Sequence, residues 1–258
     1  MNQVLIIIFQ AVSSSESRTQ KTSAQKTKMG LSCVHPVDPL HAEIPRSVQI
    51  DASSIRQSSL PIIFLIGGPG AGRATQAARV ADHYGFCAIV SRDLLRSEVS
   101  TGSQRGVIVA YLMSEGKLVP SDVMVELIKT RMLDKLGGTR GFLLSGFPRE
   151  KLQCQNFNQQ IRPPDLVLYL YVRNSVLMDR ILARTVTSTE RQDRSFDENW
   201  KRIKNHRRMI KPILRYYKKQ LVVIDGEKNE TEVFQDICCA IDNLVDKLSK
   251  LPSTSKSG

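Results

Sequence analysis

Four glycines and a cation stand close together in Gly67-Gly-Pro-Gly-Ala-Gly-Arg-Ala-Thr75. The apolar run Ile62–Ile66 leads into this stretch, and the Ala-rich amphipathic stretch Gln76–Tyr84 leaves it. A strand, a glycine loop and a helix in that order turn several backbone N–H groups inward and set a helix N-terminus against an anion. The chemistry implied is the cradling of phosphate. The spacing Gly67-x-x-x-x-Gly72 suits such a loop, but Arg73 stands where the motif has Lys. Position 74 is Ala, so the Ser/Thr that would reach Mg²⁺ is absent there.

The net charge of +12 points to anionic partners, and much of it lies between Arg173 and Lys219. Aromatic residues are not interleaved with these cations and no nucleic-acid motif is present. Arginines aimed at small phosphates explain the charge more simply, and nucleic acid is not an expected partner. The cysteines, Cys33, Cys87, Cys154, Cys238 and Cys239, are odd in number and lack metal-ligand spacing, which fits free thiols in a reducing cytoplasm. The run Val4–Phe9 is too short to span a membrane, and Met1-Asn-Gln supplies no basic flank for a signal peptide.

The elements that must position the loop follow from periodicity. Phe86–Val90, Gly141–Ser145, Asp165–Val172 and Leu221–Ile224 read as further strands. Between them lie helices: one capped by Ser91 or Asp93, then Arg105–Glu115, one from Ser121, Glu150–Gln160, Ser175–Arg184 and Asp197–Lys219, the last open to a bend at Pro212. A final amphipathic helix begins at Thr231. Alternating strands and helices predict a parallel five-stranded sheet with helices on both faces, an α/β fold. Ligands then belong at the carboxyl ends of the strands, where the glycine loop, Ser91, Ser145–Arg149 and Arg173 fall. Residues 1–58 read as a polar, weakly structured extension, 59–250 as the domain and 251–258 as a frayed tail.

Taken together, Gly67–Gln76, Ser91–Arg96, Gly116–Pro120, Gly141–Arg149, Arg180–Arg202 and Asp225–Phe234 make the chain resemble the adenylate kinase family, in its short-lid form. The resemblance implies a P-loop nucleoside triphosphate hydrolase-like fold with an NMP-binding helical segment and a short lid. It implies phosphoryl transfer from ATP to AMP with Mg²⁺, by a monomer. It places the ATP phosphates on Gly70, Ala71, Gly72, Arg73, Ala74 and Thr75, with Arg180 and Arg184 beside them. It places AMP on Ser91, Arg96, Lys117, Leu118, Val119, Gly146, Phe147, Pro148, Arg149 and Gln153, the last reading adenine. Arg191 and Arg202 match the lid and post-lid arginines, with Arg194 a rival for Arg191. Arg73, Arg149, Arg180, Arg184, Arg191 and Arg202 would carry the catalysis. No metal ligand is assigned. Arg207, Arg208 and Arg215 are taken as surface.

The sequence departs from the family at the phosphate and metal chemistry. Arg73 replaces Lys, Ala74 replaces Gly, Arg92 replaces Gly, and Ser145 replaces an Asp that helps hold hydrated Mg²⁺. Arg and Lys differ in shape and hydration, so the first change is not conservative. Three readings stay open: an AMP-directed kinase, a nucleotide-binding protein with impaired turnover, and a CMP- or UMP-directed kinase, against which Gln153 and Ser91 argue.

Overall fold

In the computed structural model, which describes residues 50–187 and 195–250, five parallel strands lie in the order β2-β3-β1-β4-β5. They are β1 (Ile62–Gly67), β2 (Cys87–Val90), β3 (Phe142–Ser145), β4 (Leu166–Tyr171) and β5 (Leu221–Asp225). The helices, in chain order, are α1 (Ser53–Gln57), α2 (Arg73–Tyr84), α3 (Ser91–Ser100), α4 (Gln104–Ser114), α5 (Ser121–Lys135), α6 (Lys151–Gln160), α7 (Asn174–Thr187), α8 (Phe196–Tyr216) and α9 (Glu230–Ser249). The predicted strands agree with these to within a residue or two, and α8 runs through Pro212.

Strand pleat sorts the core into two halves. Ile62, Phe64 and Ile66 face one side of the sheet, with Phe142, Leu144, Val167 and Tyr169. There they meet Ile128 and Met132 of α5, Phe157 of α6, and Ile213 with Tyr217 at the end of α8. Ile63 and Leu65 face the other side, with Leu143, Leu168 and Leu170. There they meet Ala77 and Val80 of α2, Leu177 of α7, and Val233, Ile237 and Ile241 of α9. Every residue of β1 is buried, because both faces are covered.

From β1 the chain leaves toward β2, whereas from β3 it crosses back past β1 to β4. Connections that depart in opposite directions leave a crevice at the carboxyl ends of those two strands. The glycine loop and the Gly146–Arg149 turn both open there.

Two expectations about the elements need correction. Residues 52–57 do not belong to a weakly structured extension: Ala52 and Ile55 are buried in the first core half. Arg56 also donates to the Gln160 carbonyl at 2.9 Å. The polar neighbours Ser53, Ser54 and Gln57 hide this short anchor in the sequence. Neither Ser91 nor Asp93 caps α3: the N-cap is Val90, with no side-chain cap. The Ser91 hydroxyl instead donates to the Gly146 carbonyl at 2.9 Å, tying α3 to the turn after β3.

Candidate nucleotide site

The loop after β1 is shaped by close approach. Gly70 has φ +83°, and a Cβ there would lie 3.0 Å from the Leu177 carbonyl oxygen and 3.1 Å from Ile181. Helix α7 therefore presses on the loop where only glycine fits. Gly72, at φ +86°, is the N-cap of α2, and no side chain satisfies the first N–H groups of that helix. Such a helix start, in a loop at the crevice, suits an anion. Ala71 is buried, Ala74 exposed and Thr75 half-buried.

Across the crevice, the turn Gly146–Arg149 is pinned by its phenylalanine. Phe147 is buried and meets Phe64 edge-on, ring centroids 5.6 Å apart, with Phe157 at 5.5 Å. Phe64 also touches Phe157 and Tyr217 at 5.0 and 5.7 Å. Aromatic contacts of this kind add stability beyond area burial. The Arg149 backbone N–H donates to Gln153 Oε1 at 2.8 Å, and Arg149 Nε donates to the Gly146 carbonyl at 3.3 Å. The turn is thus held from the core side and from α6.

Beside this turn lies a cavity of about 170 Å³. Ser91, Arg92, Leu95, Met113, Gly116, Lys117, Leu118, Val119, Met124, Gly146, Phe147, Arg149, Gln153 and Arg202 line it. Nine of the residues matched to AMP or to the post-lid arginine converge here from α3, the Gly116–Pro120 connection, the β3 turn, α6 and α8. Pro148 is buried and Arg96 is exposed on α3; neither lines the cavity. Arg191 and Arg194 lie outside the described residues, as does Asp193.

The cations crowd together. Burial first, and then repulsion from Arg149, Arg92 and Arg202, pull the Arg73 guanidinium down to about 10. It is still protonated at neutral pH. Arg73 Nη1 would lie 3.0 Å from a Cβ placed on Gly146, so the side chain reaches from the loop to the end of β3. Its Nε is buried without a hydrogen-bond partner. Burial also holds the Arg149 guanidinium below the usual arginine range, although the side chain keeps an open face toward the cleft. Arg202 Nη1 donates to Asn199 Oδ1 at 3.1 Å.

On α7, Arg180 donates to the Gly226 carbonyl at 2.7 Å, joining α7 to the chain after β5, while Arg184 is exposed one turn further on. Arg207 is no surface residue. It donates to Asn174 Oδ1, the Tyr169 hydroxyl and the Val172 carbonyl, and its guanidinium stacks on Tyr171 at 4.9 Å. Arg208 and Arg215 are exposed.

Sequence reading missed several lining residues. Leu95, Met113 and Met124 have the helical spacing of ordinary core residues, so nothing marked them. Arg92 was noticed only as a departure. His206, on α8, sits against the loop: its Cδ2 would be 3.4 Å from a Cβ on Gly68. Its buried Nε2 has no partner, and burial with the nearby charges of Arg73, Arg207 and Arg149 pushes its pKa down to about 4.

An adenylate kinase family model matches residues 65–222. Over 185 residues the chain is 37% identical to adenylate kinase isoenzyme 1 of Gallus gallus, covering 71% of this chain and 95% of that protein. The chain belongs to the adenylate kinase family. It is 35% identical to isoenzyme 1 of Homo sapiens over the same length and the same shares of each chain. It is also 37% identical to isoenzyme 5 of Homo sapiens, of which the match covers 33%. Family membership accounts for the parallel sheet with its loop after β1. No helix among the described residues is long and apolar enough to cross a membrane.

Proposed function

We propose that this adenylate kinase family member transfers the terminal phosphoryl group of ATP to AMP, giving two ADP. The observation that carries this reading is the cavity in which Ser91, Lys117, Val119, Arg149, Gln153 and Arg202 converge, beside Gly146, which Arg73 reaches from the start of α2. The loop amides and Arg73 bind the ATP phosphates. Arg149 and Arg202 bind the AMP phosphate, and Arg96 reaches it from α3. Gln153 already gives its oxygen to the Arg149 amide, so its NH₂ group is the one that can read a base.

Phosphoryl transfer asks for position and charge stabilisation more than covalent help. An AMP phosphate oxygen forms the new bond to the γ-phosphorus as the bond to the β–γ bridging oxygen breaks. Arginine forks on either side of that phosphorus neutralise the charge it spreads over its oxygens. Arg180, Arg184 and a lid arginine, Arg191 or Arg194, complete the set at the ATP end.

Adenylate kinases generally use Mg²⁺ with ATP. Among the described residues, those at the end of β3 do not suit it: Ser145 is neutral, and the Arg73 guanidinium lies against the next residue. Among the described residues, no cluster of three His, Cys, Asp or Glu could hold a metal. This is the observation on the side of the second reading, a catalytically impaired nucleotide-binding member acting as sensor or scaffold.

Comparing AMP, CMP and UMP as acceptors of the ATP phosphoryl group tests the proposal. AMP should work best. A better pyrimidine acceptor would contradict the substrate, and no transfer to any acceptor despite binding of ATP and AMP would favour the second reading. We also propose a monomeric, cytoplasmic protein with its domain ending near residue 250.

A further inference from the structure

The space at the carboxyl end of β3 is occupied by positive charge. Arg73 begins α2 yet carries Nη1 across to Gly146, directly after Ser145. Three other arginines, Arg149 of the β3 turn, Arg92 of α3 and Arg202 of α8, lie near enough to repel its guanidinium. Its Nε is a buried donor with no acceptor. Ser145 is itself buried and uncharged. A hydrated divalent cation needs oxygen donors, preferably carboxylate, and would be repelled by a guanidinium fixed beside it. A polyphosphate needs the reverse: forked, permanently charged donors.

Given the proposed reading of Gly67–Thr75 as the triphosphate loop, we infer that the chain binds its triphosphate nucleotide without a divalent cation, the Arg73 guanidinium against Gly146 supplying the charge and donors in the cation's place. The Mg²⁺ complex of ATP has given part of its negative charge to the metal and brings that metal toward Arg73. Free ATP keeps its full charge for the arginines. Arg73 and Ser145 together set this choice: one fixes a bulky, forked cation against Gly146 where the other has withdrawn an anion. AMP, bound on the far side of Gly146, is indifferent to the metal.

The full chain is titrated calorimetrically with ATP, once in excess chelator and once in excess Mg²⁺, with AMP titrated under both conditions as a control. Free ATP should bind about tenfold or more tightly than the Mg²⁺ complex, while AMP affinity stays the same. In the double variant Arg73→Lys, Ser145→Asp the order should reverse. Equal or tighter binding of the Mg²⁺ complex by the wild type overturns the inference and leaves the loop reading intact. Failure to bind ATP in either condition, with AMP still bound, overturns the loop reading along with it. A folded double variant that still prefers free ATP removes these two residues as the cause. The single variant Arg73→Gln, which should lose the preference for free ATP, supplies the check if the double variant does not fold.

Discussion

The two sides of the crevice are built by different means. On the side proposed for AMP, a cavity is walled by apolar side chains from α3, α4 and α5, with a few polar groups fixed by backbone contacts: Ser91 to Gly146, and the Arg149 amide to Gln153. The side proposed for ATP is built differently. A loop of backbone amides, squeezed by α7 at Gly70, faces a guanidinium buried among other guanidiniums. The first side works by shape and a few placed hydrogen bonds. The second works by charge.

Breaking the AMP side should cost most when its anchor is removed. Phe147→Ala empties a site against Phe64 and Phe157 and should destabilise the fold by about 3–5 kcal/mol. A shifted denaturation midpoint with weaker AMP binding would show it, whereas an unchanged midpoint would mean the aromatic cluster does not hold the turn. Arg149→Ala leaves the turn in place. It should weaken AMP binding by about 1.5–3 kcal/mol, typical of hydrogen bonds to charged groups, and leave ATP affinity nearly unchanged. Calorimetry with each nucleotide separates the two sides, and equal losses would deny that they are independent.

Gly146→Ala sharpens the comparison because this residue belongs to both sides. A left-handed φ of +79°, with Ser91 Oγ 2.8 Å and Arg73 Nη1 3.0 Å from the new Cβ, should cost about 1–2 kcal/mol of stability. Binding of both nucleotides should fall, and loss on one side alone would contradict the shared boundary.

The smallest effect concerns His206. Its folded pKa of about 4 lies below the ordinary 6.5, so its neutral form belongs to the folded state. That contribution is complete above pH 6.5 and is lost as pH falls toward 4, because the unfolded chain takes up the proton first. The first pH unit below 6.5 should cost roughly 1 kcal/mol. His206→Gln should flatten that part of the stability profile, and a phosphate bound at the loop should narrow it by favouring the proton. An unchanged slope in the variant would assign the acid sensitivity elsewhere.

Much of this was legible from residue types because it is local. The continuous apolar run of β1, the glycines after it and the apolar residues of α5 each announce their element within a few positions. What was not legible depends on distant partners. Arg207 looks like a surface cation until Tyr169, Val172 and Asn174, more than thirty positions away, accept its donors. Ile55 sits in polar sequence, and only the core it enters explains it. Ser91 has the right type for a helix cap, but the Gly146 carbonyl competes for its hydroxyl and prevails. The replacement of Lys by Arg73 was visible at once; that it spans the crevice to Gly146 was not, since this depends on how β1 and β3 lie side by side.

The most direct test of the central claim is the appearance of ADP when the full chain is mixed with ATP and AMP, followed both in chelator and in excess Mg²⁺. AMP-dependent ADP formation well above a protein-free control is the predicted result. Binding of both nucleotides with no ADP formed under either condition would contradict it.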